Sequence, residues 1–422
     1  VPGLFGSMGD EIIPGTGDWH FGLAGIVYKP FVKLLESELG LKEGENFFVA
    51  YYDWRKPIEH SARRYLYDTI QHAKKVTGKK KVAVVSHSMG GLVSRSYIES
   101  NYYKFDVSQL IMMCTPNAGS PPNFSYWTGG SLPGESGEKI NLVRLYMDAY
   151  LWLLPRVTNM SEVSAIHEYF KGLKDITPGA AYGNYLFMKN SGGEFGVVPY
   201  QSMETKNKFL DVLNKKREVV KKRHIPITLI GGIGEETIRY LEIEPSDSSD
   251  IWVDGEVTGS LKTELGDGNA TLSSVFSIEG DKHILEGSHN EVLYKSLPLL
   301  ANKLGRSYEE KTLDYPSFDE YSLIILKGRG HIKVKEKGEH YSQLVRPDTS
   351  TSIDHHLSVV RIKQMSCLVV SQEFLRSHTV HFVPHELKDV DYILIKKGSR
   401  TENHIHVSSK DPLPVNGLLT LH

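Results

Sequence analysis

Lys81–Arg95 reads KVAVVSHSMGGLVSR, and the fold follows from its two halves. Lys81–Val85 is a short apolar, β-branched run of the kind buried in a parallel sheet, and Gly90–Ser100 carries on as a helix. Between them, Ser86-His87-Ser88-Met89-Gly90 sets a serine at a sharp strand-to-helix turn, with Ser86 where a glycine usually stands. Such a turn needs small neighbours, because strand and helix close on it from both sides. It lifts the Ser88 hydroxyl above the sheet at a helix N-terminus, where free N–H groups and the positive dipole end favour developing negative charge. Ser88 is read as a nucleophile.

Working outward, strands and helices alternate. Val1-Pro2-Gly3 reads as the end of a strand, so a segment upstream of Val1 is expected; Phe31–Leu39 looks helical, and Asn46–Tyr52 (NFFVAYY) reads as a buried strand. Ile58–Val76 places Leu66, Ile70 and Ala73 on one helical face, and Gln109–Cys114 (QLIMMC) is the next strand. This alternation predicts a mostly parallel central sheet with helices on both faces and right-handed crossovers. From Thr115 to Lys208 the pattern dissolves into Gly, Pro, Trp and Tyr with helical stretches and no obvious strand, so a cap inserted over the site is expected at about 116–207. A Lys-rich helix around Lys206–Lys222, the strand His224–Gly232 and a closing helix, Asn290–Leu304, complete a catalytic domain over 1–306. Residues 307–422 lose helical periodicity. Short runs such as Tyr321–Lys327, His331–Val334, Ser366–Val370, Thr379–Val383 and Tyr392–Lys396, separated by Gly, Pro, Asp and Asn, predict an all-β, sandwich-like domain.

A serine hydroxyl is a poor nucleophile near neutral pH, so a histidine must take its proton and an acid must hold that histidine in the right tautomer. On such a sheet they follow in the order Ser, acid, His. Asp267, between two glycines in a loop after His224–Gly232, is the favoured acid; Asp254, also followed by Gly, is its rival. His289, just before the closing helix, is the favoured base, with His283 as competitor. His87 is read as structural, because its position next to the nucleophile points it away. The oxyanion donors are backbone N–H groups: Met89, after the nucleophile, and Leu4, in the glycine-containing loop Pro2–Gly6.

With 49 basic and 51 acidic side chains the net charge is -2, which gives no reason to expect a nucleic-acid partner. No apolar run approaches the roughly 20 residues of a membrane-spanning helix. Cys114 and Cys367 lie far apart and read as free thiols, so no disulfide framework is predicted. His355, His356, His378, His381, His385, His404 and His406 crowd the C-terminal region, yet without a Cys or Asp partner spacing they read as solvated strand positions. No metal and no cofactor are expected.

In five ordered segments the chain resembles the lecithin:cholesterol acyltransferase-like α/β-hydrolases, a group of acyltransferases, phospholipases A and bacterial lipases. Val1-Pro2-Gly3 is similar to the family's oxyanion loop, Tyr52-Asp53-Trp54-Arg55 to a motif specific to it, and Ser86–Gly90 to its elbow. Cys114–Ser120 (CTPNAGS) is similar to the loop after the next strand, and Gly266-Asp267-Gly268 with His289 to its acid and base. The resemblance runs from Val1 to about Leu304 and implies an α/β-hydrolase fold, a Ser88–Asp267–His289 triad, and Leu4 and Met89 as oxyanion donors. Asp53-Trp54-Arg55 is read as structural, Arg55 pairing with a carboxylate and Trp54 filling space under the cap. Eukaryotic secreted members carry disulfides over the cap; this chain lacks the cysteines for them, so their substrate choice does not transfer.

The expected substrate is a lipid or small carboxylic ester. Asn141–Leu154 (NLVRLYMDAYLWLL) has only Arg144 and Asp148 as charges and reads either as a core helix or as a face exposed to acyl chains or an interface when the cap opens, with Tyr126, Trp127, Tyr146 and Tyr150 adding aromatic surface nearby. Hydrolysis through an acyl-enzyme leads, acyl transfer to an alcohol shares its first half-reaction, and an inactive lipid-binding protein would need a broken triad.

Overall fold

A computed structural model of the chain describes residues 1–9, 12–13, 19–133, 141–189, 195–248, 250–309, 318, 320–327, 330–339, 343–345, 351–362, 365–384, 389–396, 399–406 and 413–414. Its contacts form two compact units, one of Val1–Leu4, Leu34–Gly134 and Leu154–Tyr315, the other of Phe5–Lys33, Glu135–Leu153 and Pro316–His422.

In chain order the first unit contains β1 (Val82–His87), β2 (Val107–Met113), β3 (Leu186–Lys189), β4 (Phe195–Val198), β5 (Ile227–Ile233), β6 (Thr237–Glu244), β7 (Glu256–Thr263) and β8 (Asp281–Glu286). The central sheet has the order β1-β2-β5-β8 and every pairing in it is parallel, with Val85 opposite Ile111, Leu110 opposite Ile227 and Thr228 opposite Asp281. Parallel strands covered on both faces bury both sets of side chains, which is why Leu110, Ile111, Met112 and Met113 are all sealed from solvent. The crossover from Ile58 to Thr77 buries Leu66, Ile70 and Ala73 as its periodicity predicts, with a π turn at Ala62–Leu66. This is the α/β-hydrolase arrangement, with strand ends gathered where Ser88 stands.

The N-terminal segments differ from their sequence reading. Asn46–Tyr52 buries Ala50 and Tyr52 but forms no ladder beyond one bridge between Glu43 and Phe47. Apolar β-branched sequence marks an extended chain packed by its side chains, and it does not fix whether the backbone is paired. Val1 is paired: its amino group donates to Val85 O (2.8 Å) and its carbonyl accepts from His87 N–H (3.0 Å), laying it alongside β1.

A second, mixed sheet, ordered β4-β3-β6-β7, went unread. Two of its strands come from the stretch expected to have none; the other two precede Asp267. The end of β6, LEIE, with Leu241 and Ile243 buried between more exposed Glu242 and Glu244, is a legible strand signal, whereas the four-residue β3 is too short for one. Phe124, Tyr185, Leu186, Leu241, Ile243 and Trp252 make its core.

In the second unit lie β9 (Tyr321–Lys327), β10 (Gly330–Glu336), β11 (Gln343–Val345), β12 (Thr351–Ile353), β13 (Leu357–Ile362), β14 (Met365–Ser371), β15 (His378–Pro384), β16 (Asp389–Lys396), β17 (Ser399–His406) and β18 (Leu413–Pro414). They form sheets β12-β13-β14-β9-β16-β17 and β11-β10-β15-β18. One core takes Ile324, Leu326, Leu357, Val359, Leu368 and Val370 from the first and Ile332, Val334, Val380 and Phe382 from the second, so the region is β-rich as predicted. One helical turn, Gln372–Ser377, interrupts it, capped by the Ser371 hydroxyl on Phe374 N–H.

The same unit takes in part of the helix Leu142–Thr158. Tyr146 OH donates to Leu23 O (3.1 Å) and Tyr150 OH to Ile12 O (3.0 Å), and both rings meet Phe5 edge-on, at 5.9 and 6.2 Å between centroids. Leu142, Leu145, Tyr146, Met147 and every residue from Ala149 to Leu154 are buried. Of the two readings open for this helix, the one seen in this conformation is the core helix. No helix among the described residues is long and apolar enough to cross a membrane. Cys114 and Cys367 are both free and buried.

Candidate active site

Ser88 sits between β1 and the helix Met89–Ile98 with φ 54° and ψ −130°, a conformation costly for a residue with a Cβ and kept where surrounding structure enforces it. Its N–H donates to Met113 O (2.8 Å), which ties the turn to β2. The two following glycines leave no room for side chains: a Cβ on Gly90 would lie 2.4 Å from Pro2 O and one on Gly91 2.0 Å from Thr115 Oγ1. Ser86, the departure from glycine, is used. Ser94 Oγ donates to Gly90 O (2.8 Å), so the Ser86 hydroxyl donates to Ser94 Oγ (2.7 Å) and fastens strand to helix.

Asp267 and His289 come together in the interior, each almost fully buried, with His289 Nδ1–H donating to Asp267 Oδ2 at 2.9 Å. His289 N–H also donates to Asp267 O (2.8 Å), while Asp267 Oδ1 accepts from Asn269 N–H (2.9 Å) and Ala270 N–H (2.7 Å). Burial works against an ionised carboxyl here, but the His289 charge and hydrogen bond, the Ala270 N–H and the Cys114 thiol together hold Asp267 below its ordinary pKa. Gly232, ending β5, makes space for the loop, since a Cβ there would be 2.7 Å from Asp267 Cβ and 2.8 Å from Gly287 O. With an ionised Asp267 accepting the Nδ1 proton, His289 presents Nε2 as a lone pair.

His87 ties the two halves of the site. Its Nε2–H donates to His289 O (2.9 Å) and the two rings lie 4.7 Å apart. Burial, then the neighbouring His289, lowers its pKa from 6.5 to about 3, so the ring is neutral at physiological pH. It is a strut under His289, and the expectation that its place next to Ser88 points it away is corrected: the ring turns toward His289.

Leu4 opens a turn whose next residue, Phe5, has φ 59°. Among the described residues neither Leu4 N–H nor Met89 N–H has an acceptor, which leaves both donors available. The segment before Leu4 is held by the Val1 pairing and by Tyr52 OH donating to Pro2 O (3.0 Å).

The rival residues are engaged elsewhere. Asp254 accepts from Glu204 N–H (2.6 Å) and Thr205 N–H (2.9 Å), and His283 pairs with Asp281 (2.8 Å) at the surface. In the DWR motif, Arg55 Nε donates to Asp53 Oδ1 (2.7 Å) with both side chains buried, and Trp54 meets Phe170 edge-on at 5.0 Å. A second buried pair was unread: Arg95 Nε donates to Glu99 Oε1 (2.9 Å) and its Nη1 to Asn117 Oδ1 (3.1 Å), linking the nucleophile helix to the CTPNAGS loop. Cys114, read only as a free thiol, lies fully buried, its Sγ within 4.8 Å of a ring nitrogen of His87 and of His289.

Among the described residues one trio has metal-ligand chemistry, His87, Cys114 and His289, whose ligand atoms lie within 4.8 Å of one another. Both imidazoles are already committed, His87 to the His289 carbonyl and His289 to Asp267. In the C-terminal region Phe374 stacks on His378 (4.0 Å) and on His356 (5.6 Å), with His355 4.0 Å from His356. His385 lies outside the described residues, and His404 and His406 are described only as backbone of β17.

Residues 21–185 match the family model of lecithin:cholesterol acyltransferase. That span holds Tyr52–Arg55, Ser86–Gly90 and Cys114–Ser120, three of the five segments that carry the resemblance; Val1–Gly3, Asp267 and His289 fall outside it. Among solved structures, the Tle4–Tli4 complex aligns at 16% identity over 58% of this chain and 65% of that one, with a TM-score of 0.33, so this chain spans less than two thirds of its length. Bacillus licheniformis lipase BlEst2 in mature form aligns at 13% identity over 60% and 76%, TM-score 0.32. Phospholipase PlaB from Legionella pneumophila aligns at 11% identity over 93% and 88%, TM-score 0.32. No curated protein sequence matches significantly.

Proposed function

We propose, for a chain that resembles the lecithin:cholesterol acyltransferase-like α/β-hydrolases over residues 21–185, that it is a serine hydrolase cleaving the carboxylic esters of lipids through an acyl-enzyme on Ser88. The observation that carries the reading is the buried 2.9 Å contact of His289 Nδ1 with Asp267 Oδ2, braced by His87 from the strand that delivers Ser88. A lipid-binding protein with a decayed site has no use for a carboxylate kept ionised against burial.

The chemistry follows from the protonation states. Ser88 Oγ attacks the ester carbonyl carbon while His289 Nε2 takes its proton, and Asp267 stabilises the imidazolium that results. The carbonyl oxygen becomes an oxyanion between Leu4 N–H and Met89 N–H, donors set before the reaction begins. The tetrahedral species collapses, the alcohol leaves with the proton from His289, and the acyl group stays on Ser88. Water, deprotonated by His289, attacks that ester and releases the fatty acid. An alcohol in place of water gives a new ester, the outcome in keeping with the family that residues 21–185 match.

In this reading residues 1–306 are the catalytic domain with its cap at about 116–207, and 307–422 are a β-rich accessory domain. The test is the product profile of wild type and Ser88→Ala on p-nitrophenyl esters, triacylglycerol and phosphatidylcholine, with and without a long-chain alcohol. Ser88-dependent free fatty acid is the expected product; new ester in preference to acid makes the protein an acyltransferase. Turnover that persists in Ser88→Ala refutes the assignment.

A further inference from the structure

We propose that Ser120 is a positioning residue for the Ser88–His289–Asp267 reaction, its hydroxyl orienting the peptide unit that donates to the Asp267 carboxylate; the inference rests on the reading of that triad as catalytic.

Cys114–Ser120 (CTPNAGS) carries part of the family resemblance, yet no step of the proposed reaction uses it. Its residues are stitched to the loop that bears the acid. Asn117 Nδ2–H donates to Val275 O (2.8 Å), Ala118 N–H donates to Ser274 Oγ (3.1 Å), and that hydroxyl donates in turn to Gly119 O (2.7 Å). On the other side Arg95 Nη1, from the nucleophile helix, donates to Asn117 Oδ1 (3.1 Å). Ser120 ends the motif, is buried, and reaches within two residues of the acid: its Oγ donates to Asn269 O at 2.6 Å. The backbone is fixed for this contact. Ser120 N–H donates to Ile176 O (3.0 Å), and the preceding Gly119 has φ 97° at a place where a Cβ would lie 2.3 Å from Thr177 O.

Asn269 O and Ala270 N–H belong to one peptide unit. That N–H donates to Asp267 Oδ1 at 2.7 Å, the shorter of the two loop bonds to this oxygen, Asn269 N–H lying at 2.9 Å. Hydroxyl, peptide and carboxylate therefore form a chain of hydrogen bonds. A donor on the carbonyl polarises the amide and strengthens its N–H as a donor, by about 10–30%. It also fixes the plane of the peptide, and with it the direction from which Oδ1 is held while Oδ2 accepts His289 Nδ1–H (2.9 Å). Burial raises the Asp267 pKa; the His289 charge and hydrogen bond, and then the Ala270 N–H, oppose it, so strengthening that N–H favours the ionised acid.

The test separates orientation from packing. Without the hydroxyl, Ala270 N–H is a weaker donor and more negative charge stays on Asp267 beside the His289 imidazolium, so the acid limb of kcat/KM moves to higher pH. Ser120→Ala is expected to raise that limb by about 0.3 of a unit and to lower kcat about fivefold with KM little changed. Ser120→Cys fills the same space with a poor donor and is expected to follow Ser120→Ala, whereas Ser120→Thr, which keeps the hydroxyl, is expected to follow wild type. The titration midpoint of the downfield His289 Nδ1–H signal, read in a Ser88→Ala background and so without turnover, is expected to move with the limb. A wild-type limb and midpoint in Ser120→Ala and Ser120→Cys overturn the inference. So does Ser120→Cys behaving as wild type beside a shifted Ser120→Ala, which makes the effect one of packing, or a folded Ser120→Thr behaving as Ser120→Ala. Where Ser120→Ala does not fold, the Cys and Thr variants carry the same comparison. Failure of the triad reading shows separately, as activity surviving in Ser88→Ala.

Discussion

If Leu4 N–H and Met89 N–H are the oxyanion donors we propose, one methyl group at Gly90 disturbs them while leaving Ser88, His289 and Asp267 chemically intact. A Cβ there would lie 2.4 Å from Pro2 O, 2.5 Å from Val1 O and 3.0 Å from Val1 C, whereas ordinary contact begins at 3.4 Å. Helix and N-terminal segment must therefore part by about 1 Å, and the obstructing atoms are backbone, which cannot rotate aside. Both carbonyls are also tied, Val1 O to His87 N–H and Pro2 O to Tyr52 OH, so their retreat strains those bonds and displaces Leu4 two residues on. An oxyanion donor moved that far is effectively lost, which costs about 10²–10³ in kcat, and the overpacking costs about 1–3 kcal/mol of stability. Because the substrate carbonyl scarcely uses the donors before it becomes an oxyanion, KM should change little. Steady-state kinetics on a soluble p-nitrophenyl ester, beside a urea titration, separate the two effects. A Gly90→Ala protein with wild-type kcat refutes the placement of Leu4 N–H in the oxyanion hole, whatever its stability.

Two further outcomes follow from the buried groups. Asp267→Asn can offer an amide N–H to His289 Nδ1 and so stabilise the tautomer whose Nε2 is already protonated; kcat should fall by about 10³–10⁴, read in the same assay, with Tm little changed. For His87 the folded pKa, about 3, lies below the ordinary 6.5, so between those values the unfolded chain binds a proton that the folded chain refuses. Its share of stability is complete above pH 6.5 and is lost as pH falls, at about 1.4 kcal/mol per unit in the middle of that window. Urea midpoints measured from pH 7 to pH 4 should fall more steeply for wild type than for His87→Asn; parallel curves would remove His87 as the cause.

The parts of the site legible in the sequence are those where a local pattern has one geometric solution. Ser88 can be proposed because a buried strand meeting a helix across small residues leaves a single place for its hydroxyl, and Asp267 and His289 because chain order and glycine-flanked loops narrow the choice. The rival acid, Asp254, is engaged by backbone N–H groups far away in sequence, those of Glu204 and Thr205, which no local reading of Asp-Gly reveals, whereas the rival base, His283, pairs with nearby Asp281. The role of Ser86 depends on Ser94 facing it one helical turn beyond Gly90, which the elbow pattern by itself does not show. The second sheet of the first unit was lost for a different reason. Two of its strands, β3 and β4, are only four residues long and lie among helices, too short for hydrophobic periodicity to separate them from loop, and β7 is half-exposed; β6 alone carried a pattern that could have been read.

The second unit collects three stretches, Phe5–Lys33, Glu135–Leu153 and Pro316–His422, the first and last separated by nearly the whole chain. Joining distant segments is thermodynamically mild, each doubling of an intervening loop adding only about 0.6 kcal/mol, but it imposes an order in time. During vectorial synthesis the rings of Phe5, Tyr146 and Tyr150 emerge long before the β-strands of their unit exist. The nascent chain must shelter those apolar surfaces until Pro316–His422 is made, which makes completion of this unit a late, high-contact-order event and the interval before it one of exposure to aggregation.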